Sequence, residues 1–147
     1  MRLDFRLLRV GEVGSFPCVA FVPGAVDDAQ ARAAAVFISR SAFGFLEASL
    51  EAAWPGYARQ ASKRETYLSA EVCEAFLARL AALRDALCGA DSTVAVGGLA
   101  LMMPALQAQM QHDGADVRIS LAQLIEALSA WLREPPCARA GVRLVQL

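Results

Sequence analysis

A long uncharged stretch limits most strongly what this chain can fold into. Residues 92–112 include no Asp, Glu, Lys or Arg, and they hold three of the four methionines. A membrane-spanning helix needs about 20 consecutive, predominantly apolar residues. Here the apolar run stops near Leu106, and three glutamines follow it at alternate positions, Gln107, Gln109 and Gln111. The stretch therefore predicts a buried segment of a core, and we expect no membrane association.

The size and composition favour one globular domain that spans residues 1–147. The chain is 56% hydrophobic and 20% charged, whereas about a quarter of the residues in a typical soluble domain are charged. A chain of this length buries enough surface to form a core without a metal or a disulfide. The apolar excess fits either a well-filled core or a surface patch that a partner covers.

Net charge, the N-terminus and the cysteines limit the partners and the compartment. A formal net charge of −1 lacks the basic surplus that drives nucleic-acid binding, so we expect no nucleic-acid partner. The opening, MRLDFRLLRV, carries charges where a signal peptide would be apolar, which favours the cytoplasm. The four cysteines form no C-x-x-C pair, which disfavours a zinc or redox site. We expect four small, buried, reduced side chains.

Three segments are predicted to form strands of one small, mostly antiparallel sheet. Residues 3–22 contain two β-prone runs, LDFRLLRV and PCVAFV, separated by the turn residues GEVGSFP, which predicts an N-terminal hairpin. The closing run, GVRLVQL, predicts a strand that returns to this sheet. The run STVAV favours a further short strand before the glycine pair.

Two helices are predicted in the first two thirds of the chain. The first begins at Asp27 or Asp28 and reaches Trp54 with one apolar face, and a kink or break is predicted near Gly44. The second is capped by Ser69 and ended by a glycine. Its apolar stripe comprises Val72, Phe76, Leu80, Leu83 and Leu87.

Two more helices are predicted in the last third. One begins at Pro104 and ends in a turn at HDGAD, which an extended VRIS follows. The last begins with a capping box between Ser120 and Gln123 and stops at EPPC. About four helices on a small sheet, built from the N-terminal hairpin and the C-terminal strand, place the chain in the α+β class.

No catalytic constellation is complete in this sequence. Nucleophilic catalysis needs a base beside a cysteine or serine, and the single histidine, His112, has no supporting motif. His112, Asp113 and Asp116 are possible metal ligands, but HDGAD is more typical of a helix end followed by a turn. We therefore expect no catalytic residues, cofactor or metal. A small enzyme or ligand-binding pocket near Gly97, Gly98 and His112 remains an alternative.

The most polar connector, YARQASKRET at residues 57–66, is a candidate partner-binding surface. It predicts an exposed loop or a short helical extension, and exposed tyrosine and arginine are good anchors in protein interfaces. The point where the uncharged stretch ends gives a second candidate surface. The candidate partner-binding residues are Tyr57, Arg59, Lys63, Arg64, Glu65, Tyr67, His112, Asp113 and Asp116.

Three segments carry a resemblance to a known group of proteins. They are the opening MRLDFRLLRV, the amphipathic helix SAEVCEAFLARLAALRDAL and the closing VRISLAQLIEALSAWL. With its size and mixed content, the chain resembles the small immunity proteins of bacterial toxin systems, including contact-dependent growth inhibition. The resemblance implies a cytoplasmic protein that binds a cognate toxin and blocks its active site or an adjacent surface. It carries over no catalytic residue.

The charge of the chain departs from part of that group. Inhibitors of nuclease toxins are often markedly acidic, whereas this chain is nearly neutral. Specificity would then depend on local complementarity more than on overall charge. An adaptor or chaperone-like assembly subunit is a further alternative. When free, the chain is expected to be a monomer or a small homo-oligomer.

Overall fold

A computed structural model describes residues 4–25, 28–60, 63–88 and 104–147, with the side chains of the last segment from Asp116 onward. Within these ranges, helices pack on a five-stranded antiparallel sheet, which confirms the predicted α+β class. The strands are β1 (Leu8–Arg9), β2 (Cys18–Pro23), β3 (Val36–Ser39), β4 (Glu65–Leu68) and β5 (Val142–Gln146). The described helices are α1 (Ala29–Ala33), α2 (Arg40–Phe43), α3 (Glu47–Ala53), α4 (Tyr57–Gln60), α5 (Ala70–Cys88), α6 (Pro104–Leu132) and α7 (Pro135–Ala140).

The sheet has the strand order β1-β3-β2-β5-β4, and all neighbouring strands are antiparallel. β5 pairs with β2, with Val145 opposite Ala20, so the predicted return of the C-terminal strand to the sheet is confirmed. β5 also pairs with β4, with Leu144 opposite Thr66. The two strands made from distant ends of the chain therefore form the centre of the sheet.

The predicted N-terminal hairpin is wrong. β2 pairs with β3, and β1 lies beyond β3, with Leu8 opposite Phe37. β1 is also much shorter than predicted. The carboxylate of Asp4 accepts hydrogen bonds from the backbone N–H of Arg6 at 3.0 Å and from its guanidinium at 2.7 Å. Such local bonds offer the backbone an alternative to a sheet ladder.

The first predicted helix contains a strand. Asp28 caps only the short α1, where it accepts a hydrogen bond from the Ala31 N–H at 2.7 Å. β3 follows, because Phe37 and Ile38 belong to aromatic and β-branched types that fit a pleated surface between neighbouring strands. Helices α2 and α3 come after it, and α2 ends at Gly44, where a break was predicted. Tertiary pairing with β2 overrides the helical spacing of the apolar residues in this region.

The second predicted helix is confirmed as α5. Ser69 accepts a hydrogen bond from the Val72 N–H at 3.2 Å, as an N-cap residue does. The predicted stripe faces the core, with Val72 half-buried and four residues buried, Phe76, Leu80, Leu83 and Leu87.

One continuous helix, α6, replaces the last two predicted helices. It begins at Pro104 as predicted, but it runs through to Leu132, so the turn at HDGAD and the extended VRIS are wrong. Val117 and Leu121 lie one helical turn apart, directly after the predicted turn, and both are buried, so the run predicted to be extended packs as a helix. None of the described helices is long and apolar enough to cross a membrane.

The core lies between one face of the sheet and helices α3, α5, α6 and α7. Trp131 of α6 is 1% exposed and meets the ring of Phe21 edge-on, with centroids 6.3 Å apart. Its indole N–H donates to the carbonyl oxygen of Ala34 at 3.1 Å, which ties α6 to the segment between α1 and β3. The opposite face of the sheet carries a smaller cluster around Ala20 and Val22, against which α1 packs.

Three of the four cysteines are buried, Cys18, Cys73 and Cys137, whereas Cys88 is exposed. The expectation that all four are buried is therefore wrong for Cys88. This residue follows Leu87 of the apolar stripe, so it lies on a different face of α5. Burial raises the pKa of the Cys73 thiol from 9.0 to about 11 and, together with Cys73 and Glu134, that of Cys137 to about 12.

Thiol labelling should divide the cysteines into two classes. At about pH 8 we expect an aromatic disulfide reagent to modify the exposed thiol of Cys88 quickly. The three buried thiols should react only as fast as the fold opens. The Cys88→Ser variant should lose the fast phase, and a fast phase that survives would contradict the structure.

Because the thiols of Cys73 and Cys137 stay protonated in the folded chain while unfolded thiols ionise near pH 9.0, the free energy of unfolding should fall as the pH rises above this value.

Candidate functional site: the open edge of the sheet

The two edges of the sheet differ in how their backbone groups are satisfied. At the β1 edge, Leu8 pairs with Phe37 of β3, so the next residue, Arg9, directs its N–H and C=O away from the sheet. Glu12 occupies both of these groups: its carboxylate accepts from the Arg9 N–H at 2.8 Å, and its own N–H donates to the Arg9 carbonyl at 3.0 Å. This edge is closed by the turn that follows it.

The β4 edge is open. The N–H of Gln146 donates to the carbonyl of Arg64 at 2.8 Å, so the alternation of an antiparallel ladder directs the backbone groups of Thr66 toward β5. The N–H and C=O groups of Glu65 and Tyr67 therefore point away from the sheet. Within the part of the chain that the structure describes, these outward groups take part in no hydrogen bond. We call β4, with these outward groups, the open edge.

The two exposed side chains of the open edge are held in place. Arg143 of β5 is buried, and its guanidinium donates to the carboxylate of Glu65 at 3.1 Å, while Glu65 remains half exposed. Tyr67 is 45% exposed, and its hydroxyl donates to the carbonyl oxygen of Ala140 at 2.8 Å. A side chain that is already ordered loses less conformational entropy when a partner binds. The side chains of Glu65 and Tyr67 on the open edge are therefore already ordered for binding a partner.

Gly141 supports the open edge from the end of α7. Its φ of +76° and ψ of −163° belong to a region that glycine alone adopts readily. A Cβ atom at this position would collide with the carbonyl oxygen of Leu68 and would lie 2.9 Å from the Tyr67 hydroxyl. The close approach of Gly141 to the open edge therefore requires a residue without a side chain.

Charge is distributed unevenly along the open edge. Arg59, Lys63 and Arg64 are all exposed on α4 and the residues just before β4. Past the other end of β4, Glu71 is exposed in the first turn of α5. Because Glu65 is paired with Arg143, the open edge has a basic beginning and an acidic end.

The structure brings together five of the predicted partner-binding residues, Arg59, Lys63, Arg64, Glu65 and Tyr67, on or next to the open edge. It excludes Tyr57 from the exposed surface. Tyr57 is 4% exposed, and its hydroxyl donates to the Glu47 carboxylate at 3.0 Å. Burial first, and then Glu47, raises the pKa of this phenol. Among its described residues, the connector forms the short helix α4, a bend at Lys63 and Arg64, and the start of β4, which confirms the predicted short helical extension over residues 57–60.

The other predicted residues lie elsewhere. Asp116 is exposed on α6. His112 and Asp113 belong to the helical backbone of α6, and their side chains lie outside the described part of the chain, as do Gly97 and Gly98 altogether. Among the described side chains, no group of three or more His, Cys, Asp or Glu residues is placed to hold a metal ion.

Sequence reasoning missed the partners that order the open edge, Arg143 and Ala140, because both come from the C-terminal end of the chain. It also missed β4 itself. The burial of β4 alternates with a period of two, Glu65 and Tyr67 exposed and Thr66 and Leu68 buried. The sequence shows this only weakly, because Thr66 is polar, and the β-prone pair Thr66 and Tyr67 was the available signal.

A groove of about 1210 Å³ lies between the N-terminal segment and α6. Its described lining mixes apolar and polar side chains, among them Phe5, Phe16 and Gln123. The guanidinium of Arg6 is bonded to Asp4 at 2.7 Å, and that of Arg40 donates to Gln146 at 2.7 Å. Both arginines of the groove are thus already engaged within the chain, and the groove points to no class of ligand.

Comparisons with known proteins find no family model, no curated protein and no solved structure that matches this chain.

Proposed function

We propose that this chain is a protein-binding inhibitor, an immunity protein that binds a cognate bacterial toxin and neutralises it, and that the toxin docks along the open edge. The observation that carries the proposal is the set of outward N–H and C=O groups of Glu65 and Tyr67. Proteins usually block or cover the edges of their sheets, because an open edge pairs with another chain. Among the described residues, the β1 edge is blocked and the β4 edge is left accessible.

The chemistry of the open edge supports a protein partner. A peptide backbone complements outward N–H and C=O groups directly, as in strand addition. Tyr67 adds a large, rigid ring that is partly exposed, and tyrosine and arginine are enriched among the residues that dominate interface energies. A net charge of −1 gives no general attraction to a nucleic acid.

The toxin as the particular partner is supported by the resemblance in the three quoted segments. Inhibition by an immunity protein needs no catalytic group in the inhibitor, since covering the active site or a surface beside it is sufficient. The proposal predicts that this chain forms a one-to-one complex with the product of an adjacent toxin gene. If cells that lack this protein remain protected from that toxin, the proposal fails.

The Tyr67→Ala variant should weaken the complex by about 2 kcal/mol or more, which is roughly a thirtyfold rise in Kd, because a central tyrosine anchor is lost. Isothermal titration calorimetry with the purified toxin domain measures this change. The Val10→Ala variant is the matched control, since Val10 is exposed beside the closed β1 edge and should leave Kd unchanged. Equal effects of the two substitutions would place the interface elsewhere.

A further inference from the structure

We propose that, in the absence of its partner, this chain pairs with a second copy of itself through the open edge, β4 against β4, and forms a symmetric dimer. The inference of a dimer comes from the open edge itself and does not depend on the proposed function. Its consequence for inhibition, that the toxin and the second copy compete for one edge, rests on the proposed function.

The hydrogen-bonding groups of the open edge complement those of a second copy in one register. When two antiparallel copies of β4 are centred on Thr66, the outward groups of Glu65 in each copy face those of Tyr67 in the other. Every outward N–H and C=O group of β4 then has a partner in both copies. The two-fold axis passes between the two Thr66 residues, as an isologous interface requires.

The neighbouring registers leave groups unsatisfied. Shifting the pairing toward the N-terminal end would place Tyr67 opposite Lys63, whose N–H already donates to the Gln60 carbonyl at 2.9 Å. Shifting it the other way would place Glu65 opposite Ser69, whose carbonyl already accepts from the Cys73 N–H at 2.9 Å. The folded chain therefore selects the register centred on Thr66.

Charge complementarity favours the same arrangement. In the register centred on Thr66, Lys63 and Arg64 of one copy lie beside Leu68 and Ser69 of the other. The basic beginning of each open edge then approaches the acidic end of its neighbour, where Glu71 is exposed. The carboxylates of Glu65, which come near each other across the axis, are each paired with Arg143 of their own copy. Opposite charges thus meet at both ends of the paired strands.

The matched variants Glu65→Pro and Glu65→Ala test the dimer with the purified full-length chain. Both remove the carboxylate and its bond to Arg143, but only proline also removes the outward N–H. The ladder to β5 does not use this N–H, so proline is tolerated at such an edge position. Any difference between the two variants in self-association is therefore due to the outward backbone group.

Sedimentation velocity over about 1 to about 500 µM measures the association, since a short strand with exposed backbone bonds gives weak affinity. We expect a concentration-dependent dimer for the native chain and for Glu65→Ala, and at least a tenfold weaker one for Glu65→Pro. A chain that stays monomeric at every concentration overturns the proposal. A dimer that Glu65→Pro and Glu65→Ala affect equally overturns it as well.

A second measurement does not depend on the folding of the proline variant. In the native chain, hydrogen exchange of the Glu65 and Tyr67 amides should slow as the protein concentration rises. Exchange of the amide of Val10, an exposed residue beside the closed edge, should not depend on concentration. Exchange at Glu65 and Tyr67 that does not respond to concentration contradicts the pairing. Neither experiment includes the toxin, so failure of the dimer is distinguishable from failure of the proposed inhibitor function.

Discussion

The Trp131→Ala variant is expected to lose about 4–5 kcal/mol of unfolding free energy, in the upper range for a buried aromatic side chain. The indole is 1% exposed, it packs edge-on against Phe21, and its N–H is bonded to the Ala34 carbonyl. Removing it leaves a cavity between α6 and the sheet and also leaves that carbonyl without its donor. Urea unfolding followed by circular dichroism measures the loss.

The other tryptophan of the chain provides the control. Trp54 is half-buried at the end of α3, so Trp54→Ala should cost clearly less than Trp131→Ala. The Trp131→Phe variant separates the two contributions, because it keeps an aromatic ring against Phe21 and removes the N–H. If Trp54→Ala destabilised the chain as much as Trp131→Ala, the position of Trp131 at the centre of the core would be wrong.

The Gly141→Ala variant is expected to lose about 3–4 kcal/mol, from the cost of its backbone conformation together with a steric collision. The added methyl group would meet the carbonyl oxygen of Leu68, so α7 and the open edge must move apart. For a chain of this size the change corresponds to a fall in Tm of roughly 10 °C. Partner binding should fall as well, because the hydroxyl bond of Tyr67 to Ala140 is disturbed.

Gly11→Ala is the matched control for Gly141→Ala. Gly11 also has a positive φ, +90°, but a Cβ atom there would meet nothing within 4 Å. It should therefore carry only the backbone cost, about 1 kcal/mol. Equal losses in the two variants would show that the collision with Leu68 does not occur. Differential scanning calorimetry of both variants gives the comparison.

Local signals in the sequence were sufficient to predict an element where its own residues include a cap, a turn residue or a clear apolar pattern. α5 has a serine cap and an apolar stripe at helical spacing, and both do in the structure what they do in isolated helices. β5 is a short β-prone run with a glycine before it, and it became a central strand of the sheet.

Tertiary contacts decided the remaining elements. Ile38 satisfies the spacing of a helix, yet pairing with Val19 of β2 makes it part of a strand. Gly114 and its polar neighbours are typical of a turn, yet α6 runs through them without interruption and buries Val117 and Leu121 directly afterwards. These contacts join residues that are far apart in the chain, so the local pattern does not reveal them. Periodicity alone therefore could not choose between helix and strand at Ile38 or between turn and helix at Gly114.

The candidate site was predictable in part. The polarity of residues 57–66, with the adjoining Tyr67, led to a set of candidate residues, and five of them lie on or next to the open edge. That this edge binds a partner stays a prediction. Its organisation was not predictable, because Glu65 is held by Arg143 and Tyr67 by Ala140, both more than seventy positions away in the chain. Tyr57 was proposed as an exposed anchor, but it is 4% exposed and its hydroxyl donates to Glu47 of a preceding helix, a contact that the local sequence does not contain.

The bonds between Glu12 and Arg9 bear on how large an assembly of these chains can grow. A sheet that is open at both sides can add copies without end and so seed a fibril. In this chain the β1 edge is closed by the bonds between Glu12 and Arg9. Two copies joined at β4 therefore form one continuous sheet with a closed β1 edge at each end. Among the strands that the structure describes, such a dimer has no further open edge, so growth by strand pairing terminates at two subunits.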